Sequence, residues 1–592
     1  MSFRPGFEQV PRTQSTPFDL PGLTLPLSFK PQRDWHDLVY GNALDTDDIQ
    51  DGYVGHLFVV RELTMMRIME TITDKPNWEE KIFNEEITAK WRKEIVYGEN
   101  VTESMMDFVL AELRWKTDEY KKTGLIESYD PGVVKSDTAI PRDIQQRLQD
   151  LAKALEQEGP KDYHPNSDDK VVDLVHPSLF PLVYGQTNVL RDRFIGIDDC
   201  FRSVGLGEPI EVRDVPNAHW YNYPGYSNQF QWLPCEVKFD SNSECRIASY
   251  INNLHPAKHR DLYRVIEQVL TRTIPLWEQS LANKFDSNRI PYKEIEYLPS
   301  AEPEPEWTSD DEEDEDDYYD RHHEWRNARQ PKHPDACTFK PPENHFRERP
   351  NLQANYADKG LQVIVKMANI ELTPEKPNYD GGSWHIEGQL NERICATAIY
   401  YYDCENITDN TLSFRHRADD TFFEDFHRYE QGEFAFLRVF GFEPDAGIDG
   451  GEDHFTQDLG GVSCREGRLL TFPNTLQHCV SPFSLADPSK PGHRKILAFF
   501  LIDPTRRIIS TANVPPQRED WCDEWMDAVQ KALGHHRLPV ELQDMIMRDV
   551  NYASMSMDAA KYYRLRLMEE RSVKSTDANR EFEQGGFNLC EH

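Results

Sequence analysis

The chain is short of positive charge. Against 103 Asp and Glu stand 66 Lys and Arg, giving a formal net charge of -37 over 592 residues. That balance excludes a surface dominated by basic side chains, which phosphate backbones require, so direct nucleic-acid binding is not expected. A basic protein or peptide is the partner that an acidic surface would attract. No apolar run reaches the ~18–20 residues of a membrane-spanning helix, so none is expected. The opening Met1-Ser2-Phe3-Arg4-Pro5-Gly6 has no apolar signal core. Cysteine is scarce, with ten in the chain and no Cys-x-x-Cys pair. That usage fits reduced intracellular thiols and excludes a disulfide framework or a zinc knuckle. The expected location is cytoplasmic or nuclear.

What is present divides the chain into several parts, since its length exceeds one ordinary core. Residues 1–50, rich in Pro, Gly and Asp, predict an extended arm. Residues 51–300 predict an α-rich accessory region with short strands near 170–175 and 233–239. Trp78, Ile82, Phe83, Ile87, Trp91 and Ile95 recur there at helical steps. Further helices are predicted at 53–70, 104–123, 142–158 and 256–281. The aromatic string His219-Trp220-Tyr221-Asn222-Tyr223 fits core packing better than a pocket wall. Residues 301–350 hold eight consecutive acidic residues, 310–317. Such a run repels itself and predicts a mobile insert or linker.

From 361 the period becomes strand-like. Eight segments qualify: 361–372, 383–388, 395–403, 412–417, 434–442, 461–472, 477–483 and 494–503. The expected class is α+β, with a double-stranded β-helix (cupin-like jelly roll) over 351–514. A helical region, 515–592, follows, with helices at 518–534, 538–550 and 554–571.

One stretch carries chemistry. Chance alone gives about three to four His-x-Asp/Glu triplets in this composition, so the motif by itself proves nothing. Four occur, starting at His259, His322, His333 and His385. His259 lies in a predicted helix, where positions two apart diverge, and His322 and His333 lie in the charged connector. Only His385 and Glu387 sit in a strand-like run after a Gly-Gly turn. There, positions two apart share a face about 6.6 Å from each other. His478 opens the seventh segment and Arg494 the eighth.

Two imidazoles and a carboxylate with open positions are the ligand set of a non-haem Fe(II) oxygenase. A guanidinium beyond them suits the far carboxylate of 2-oxoglutarate. The expectation is therefore an Fe(II)- and 2-oxoglutarate-dependent oxygenase hydroxylating or demethylating a protein or small molecule. His385, Glu387 and His478 would hold the metal, and Arg494 the cosubstrate. Thr397, Tyr400 and Tyr402, read as one strand face, are candidates to line the cosubstrate pocket, with core packing as the alternative. Arg415 and Arg417 rank below Arg494, Asn369 is a candidate support for the ligand strand, and Lys495 should point away. Two other classes stay open: a jelly roll without turnover that acts through its acidic insert, and a cupin metalloenzyme that does not use 2-oxoglutarate.

Several strings resemble the largely fungal domain-of-unknown-function 4246 family. They are Trp91-Arg92-Lys93-Glu94, residues 249–256, Leu372-Thr373-Pro374-Glu375-Lys376-Pro377, and residues 381–388, 400–408 and 472–478. The resemblance covers most of the chain outside its extreme termini and acidic insert. It implies a cupin-like oxygenase domain and no particular substrate. The chain departs from the general oxygenase pattern in having Glu387 where Asp is commoner, and in the length of 481–493 between His478 and Arg494.

Overall fold

The computed structural model describes residues 18–29, 40–45, 57–95, 101–130, 132–211, 225–282, 289–292, 295–307, 315–341, 349–417, 435–443, 456–521, 539–542, 545 and 554–583. The aromatic string 219–223, the acidic residues 310–314 and most of the helices expected at 518–534 and 538–550 lie outside these ranges.

Helices α1 (Val60–Thr73), α2 (Glu85–Ile95) and α3 (Glu103–Thr123) come first along the chain. Thr102 caps α3 by accepting from the Met105 N–H, and Gly124, at φ 69°, ends it. Strands β1 (Ile126–Tyr129) and β2 (Val133–Ser136) follow, then α4 (Arg142–Glu156), whose first turn Pro141 precedes. Next come β3 (Val171–Val175), β4 (Cys235–Phe239), β5 (Cys245–Ile247) and α5 (Arg260–Ser280). Within the expected mobile insert, Glu315–Ala328 forms a helix, α6.

The C-terminal half holds β6 (Leu361–Leu372), β7 (Asn378–Tyr379), β8 (Ile394–Glu405), β9 (Thr411–Arg417) and β10 (Thr456–Ser463). It continues with β11 (Leu469–Pro473), β12 (Gln477–Val480), β13 (Phe483–Ser484), β14 (Gly492–Ile502) and helix α7 (Met557–Glu583).

The class is α+β. One antiparallel sheet runs β1-β2-β11-β8-β14-β6-β4-β5, with β3 also paired to β6. A three-stranded sheet runs β10-β9-β12, and β7 pairs with β13. Among the described residues these sheets do not close into a barrel. Strand alternation gives the large sheet two apolar faces. Val363, Val365, Met367, Ala398, Tyr400, Leu497 and Phe499 join a core with Leu148 of α4 and Val265, Ile266 and Trp277 of α5. Ile364, Ile399, Tyr401, Ala498 and Phe500 face the other way, into a core shared with Phe414 of β9 and Leu459 of β10. Each large side chain fully buried there contributes about 1.5–3 kcal/mol.

Three expected strands change. Segment 383–388 forms only an isolated bridge, His385 to His478, because Gly381 and Gly388 take φ values of 92° and 76° that interrupt a ladder. Segment 434–442 is a 3-10 helix over Ala435–Phe440, with Phe436 and Phe440 buried. Segment 461–472 splits between β10 and β11, where Gly467 turns the chain at φ 85°.

Candidate metal centre

The segment after β7 reaches the small sheet by a glycine turn. The Gly382 N–H donates to the Val480 carbonyl at 2.9 Å. A Cβ at Gly381 would lie 2.8 Å from that same carbonyl oxygen. The two chains then exchange backbone bonds, His385 N–H to His478 O at 3.2 Å and His478 N–H to His385 O at 3.1 Å. A directly opposed antiparallel pair places its side chains together, and the two rings lie 4.2 Å apart between centroids. Glu387, two residues on, brings Oε1 to 3.8 Å from His385 Nε2 and 3.4 Å from His478 Nε2. One ligand atom from each of the three lies within 4.8 Å of the others.

The His385 tautomer suits a cation. His385 Nδ1 lies 2.8 Å from the Ser383 carbonyl oxygen, which can only accept. The proton is therefore on Nδ1, leaving the Nε2 lone pair toward Glu387. Burial, reinforced by the charge of His385, pushes the His478 pKa down to about 4, so this imidazole stays neutral. Burial opposes ionisation of Glu387, but the two neighbouring imidazoles outweigh it and hold the carboxyl well below its usual range. In His385 the desolvation cost is outweighed by Glu387, and the pKa rises. Three lone-pair donors with one negative charge, partly open to solvent on the His385 side (36 % exposed), fit a divalent metal.

Asn474 holds this arrangement from behind. Its Oδ1 accepts from the Glu387 N–H at 3.2 Å, and its Nδ2 donates to the Glu387 and Ile394 carbonyls, each at 3.1 Å. Helix α7 closes one side. Asn579 Nδ2 donates to the Trp384 carbonyl and its Oδ1 accepts from Gln477 Nε2, both at 2.8 Å.

Arg494 is buried on β14, with the same parity as Ala498 and Phe500. Its guanidinium donates to Asn410 Oδ1 at 2.6 Å and stacks 4.9 Å from the Phe483 ring centroid, while its Nε is buried without a hydrogen-bond partner. Thr397 faces the same side, between Phe472 and Phe500 on the neighbouring strands, and its buried hydroxyl also lacks a partner.

Other candidates fall elsewhere. Tyr400 and Tyr402 belong to the helix-covered core and Tyr401 to the opposite one, so Thr397 does not share a face with Tyr400. Residues three apart on a strand cannot do so. Asn369 bonds Glu156 at 2.7 Å on the helix side. Arg415 is taken up by Gln477 and Glu583. Lys495 points away as expected, pairing with Glu156 and Asp403.

A second group, His164, Asp173 and His176, has equally close ligand atoms. No spacing signature marks it, because β3 supplies only Asp173 and the imidazoles come from flanking loops. It suits a cation poorly. The Ser178 N–H donates to His176 Nδ1 at 3.2 Å, so the neutral ring carries its proton on Nε2 and neither nitrogen is free. The Arg564 guanidinium stands 3.6 Å from the Asp173 carboxylate, and His164 Nδ1 lies 2.9 Å from it.

The fold and site thus define an α+β protein with a partly buried two-histidine, one-glutamate cluster at the edge between two antiparallel sheets. Residues 103–525 match the family model described as protein of unknown function (DUF4246). Residues 20–94 match its N-terminal domain. The chain belongs to the DUF4246 family. No curated protein matches it. Among the described residues no helix is long and apolar enough to cross a membrane.

Proposed function

We propose that this chain is an Fe(II)- and 2-oxoglutarate-dependent oxygenase built on a double-stranded β-helix. The observation that carries the reading is the convergence of His385, Glu387 and His478 from segments about ninety positions apart. The order of the strands supports the fold. Strands β6, β8, β11 and β14 lie together in the large sheet. The His385 segment, β9, β10 and β12 lie together in the small one. We read this passage of the chain between the two sheets as the winding of a jelly roll.

In this reading His385 and His478 donate through Nε2, Glu387 donates through its carboxylate, and bound iron with 2-oxoglutarate supplies oxidation of a C–H bond coupled to succinate formation. The Ser383 carbonyl fixes the His385 tautomer, and Asn474 fixes the backbone of Glu387. Arg494, always protonated, binds the far carboxylate of the cosubstrate with its unpartnered Nε–H available to it. Phe483 and Tyr401 keep that ion pair dry, which strengthens it. Thr397 offers a hydroxyl donor on the same wall.

The test is anaerobic Fe(II) and 2-oxoglutarate binding, followed by succinate release in air, with His385→Ala and Arg494→Ala compared. The reading expects metal loss in the first variant and cosubstrate loss with metal retained in the second. Succinate release indifferent to both changes refutes it. Metal binding without any 2-oxoglutarate binding points to a cupin metalloenzyme of another kind.

A further inference from the structure

Lys366 is a cation in an apolar strand. On β6 it follows the parity of Ile364, which faces the inter-sheet core, while Val365 and Met367 face the helices. It pairs across the sheet with Ala498 of that same core. The lysine therefore projects into the space between the two sheets, toward the layer that carries the metal cluster. Its charge acts on both His385 and His478. It also acts on Asp173 and His176. Asp173 is already engaged by His164 and Arg564. Among the described residues no carboxylate comes within ion-pairing distance of Lys366.

An ammonium facing a divalent-metal site is repelled by it unless an anion lies between them. Arg494 does not share this position, since it pairs with Ile370 on β6. That is four residues, or about 13 Å of strand, from Lys366. A five-carbon dicarboxylate, about 5 Å between its carboxyl carbons from ordinary bond lengths, is taken up by Arg494 and the metal. Lys366 is thus a second cationic position at the same centre, with an anion of its own to bind.

We propose that Lys366 is the substrate-anchoring residue of this site and that the molecule acted on carries a carboxylate or a phosphate, which the lysine receives beside the metal cluster. The inference rests on the oxygenase reading above. It disfavours a basic peptide as substrate, because a cationic side chain would meet this ammonium at the point of reaction.

The experiment uses the full chain loaded with Mn(II) and saturated with 2-oxoglutarate, titrated calorimetrically with acetate, butyrate, hexanoate and inorganic phosphate. Wild type, Lys366→Met and Lys366→Arg are compared. At least one probe binds the wild type, about tenfold or more weaker binding is expected in Lys366→Met, and Lys366→Arg retains binding. The carboxylate and phosphate arms identify the group. Mn(II) and 2-oxoglutarate are still bound by all three proteins, which shows that the variants are folded. Failure of every probe on the wild type, equal binding by Lys366→Met, or loss of 2-oxoglutarate in Lys366→Met overturns the proposal. Absence of 2-oxoglutarate binding in the wild type counts against the oxygenase reading alone. The same titrations on the Mn(II) protein then decide Lys366 separately.

Discussion

Asn474→Ala removes the side chain that grips Glu387 by both its N–H and its carbonyl and also holds the Ile394 carbonyl. Asn474 is 1 % exposed, so water does not replace those bonds freely. Three hydrogen bonds at a net 0.5–1.5 kcal/mol each give a destabilisation of about 1.5–4.5 kcal/mol; the Ile394 carbonyl keeps Asn42 Nδ2 as a donor at 2.9 Å, so the loss falls mainly on the Glu387 backbone. Glu387 then loses its fixed approach to the two imidazoles. Displacing a group that orients a metal ligand typically lowers affinity ~10–100-fold. The assay pairs urea denaturation of the metal-free protein with a competitive metal titration at a urea-free point where the variant is fully folded. Asn474→Asp is the control, keeping an acceptor for the Glu387 N–H while losing both donors. A full loss of stability with unchanged metal affinity would refute the claim that Asn474 orients a metal-binding Glu387.

Phe414, fully buried opposite His478 on the paired strand and 5.0 Å from the Phe472 ring, should cost about 3–5 kcal/mol when replaced by Ala, read by denaturation. Arg494→Met, close in volume, should keep the fold and the metal but weaken 2-oxoglutarate ~10-fold or more in equilibrium binding. His176 gives a pH signature. Burial holds it neutral with its pKa well below 6.5, against the opposing pull of Asp173. The unfolded chain takes up the proton first as pH falls, so this contribution is intact above 6.5 and declines below it, by about 1.4 kcal/mol per pH unit until the folded pKa is reached. His176→Gln should flatten the stability profile between pH 7 and 5, and an unchanged slope would contradict this assignment.

Much of the fold was legible where alternation and punctuation agreed. The strand at 361–372 matches β6 end to end, since Gly360 and the Thr373-Pro374 step bound an apolar run. Helix α4 begins after Pro141, as its sequence predicts. The opposite facing of Arg494 and Lys495 followed from strand parity alone. Parity also had the information to separate Thr397 from Tyr400 and to mark Lys366 as inward-facing, since it lies an even number of steps from Ile364. The 3-10 helix at Ala435–Phe440 escaped because its apolar density resembles a strand. The metal ligands converge for a reason that spacing does not state. A glycine turn and one isolated bridge, rather than a continuous strand, set His385 against His478. Asn474 is invisible to any ligand motif because it acts on Glu387 through backbone bonds formed only after folding.

The most direct measurement is the stoichiometry and ligand environment of iron bound anaerobically to the full chain, by metal analysis and X-ray absorption. The account predicts one equivalent per chain, with two imidazole nitrogens among nitrogen and oxygen ligands, and its loss in His385→Ala, Glu387→Ala and His478→Ala alike. Wild-type protein that binds no iron, or variants that bind it as the wild type does, would contradict it.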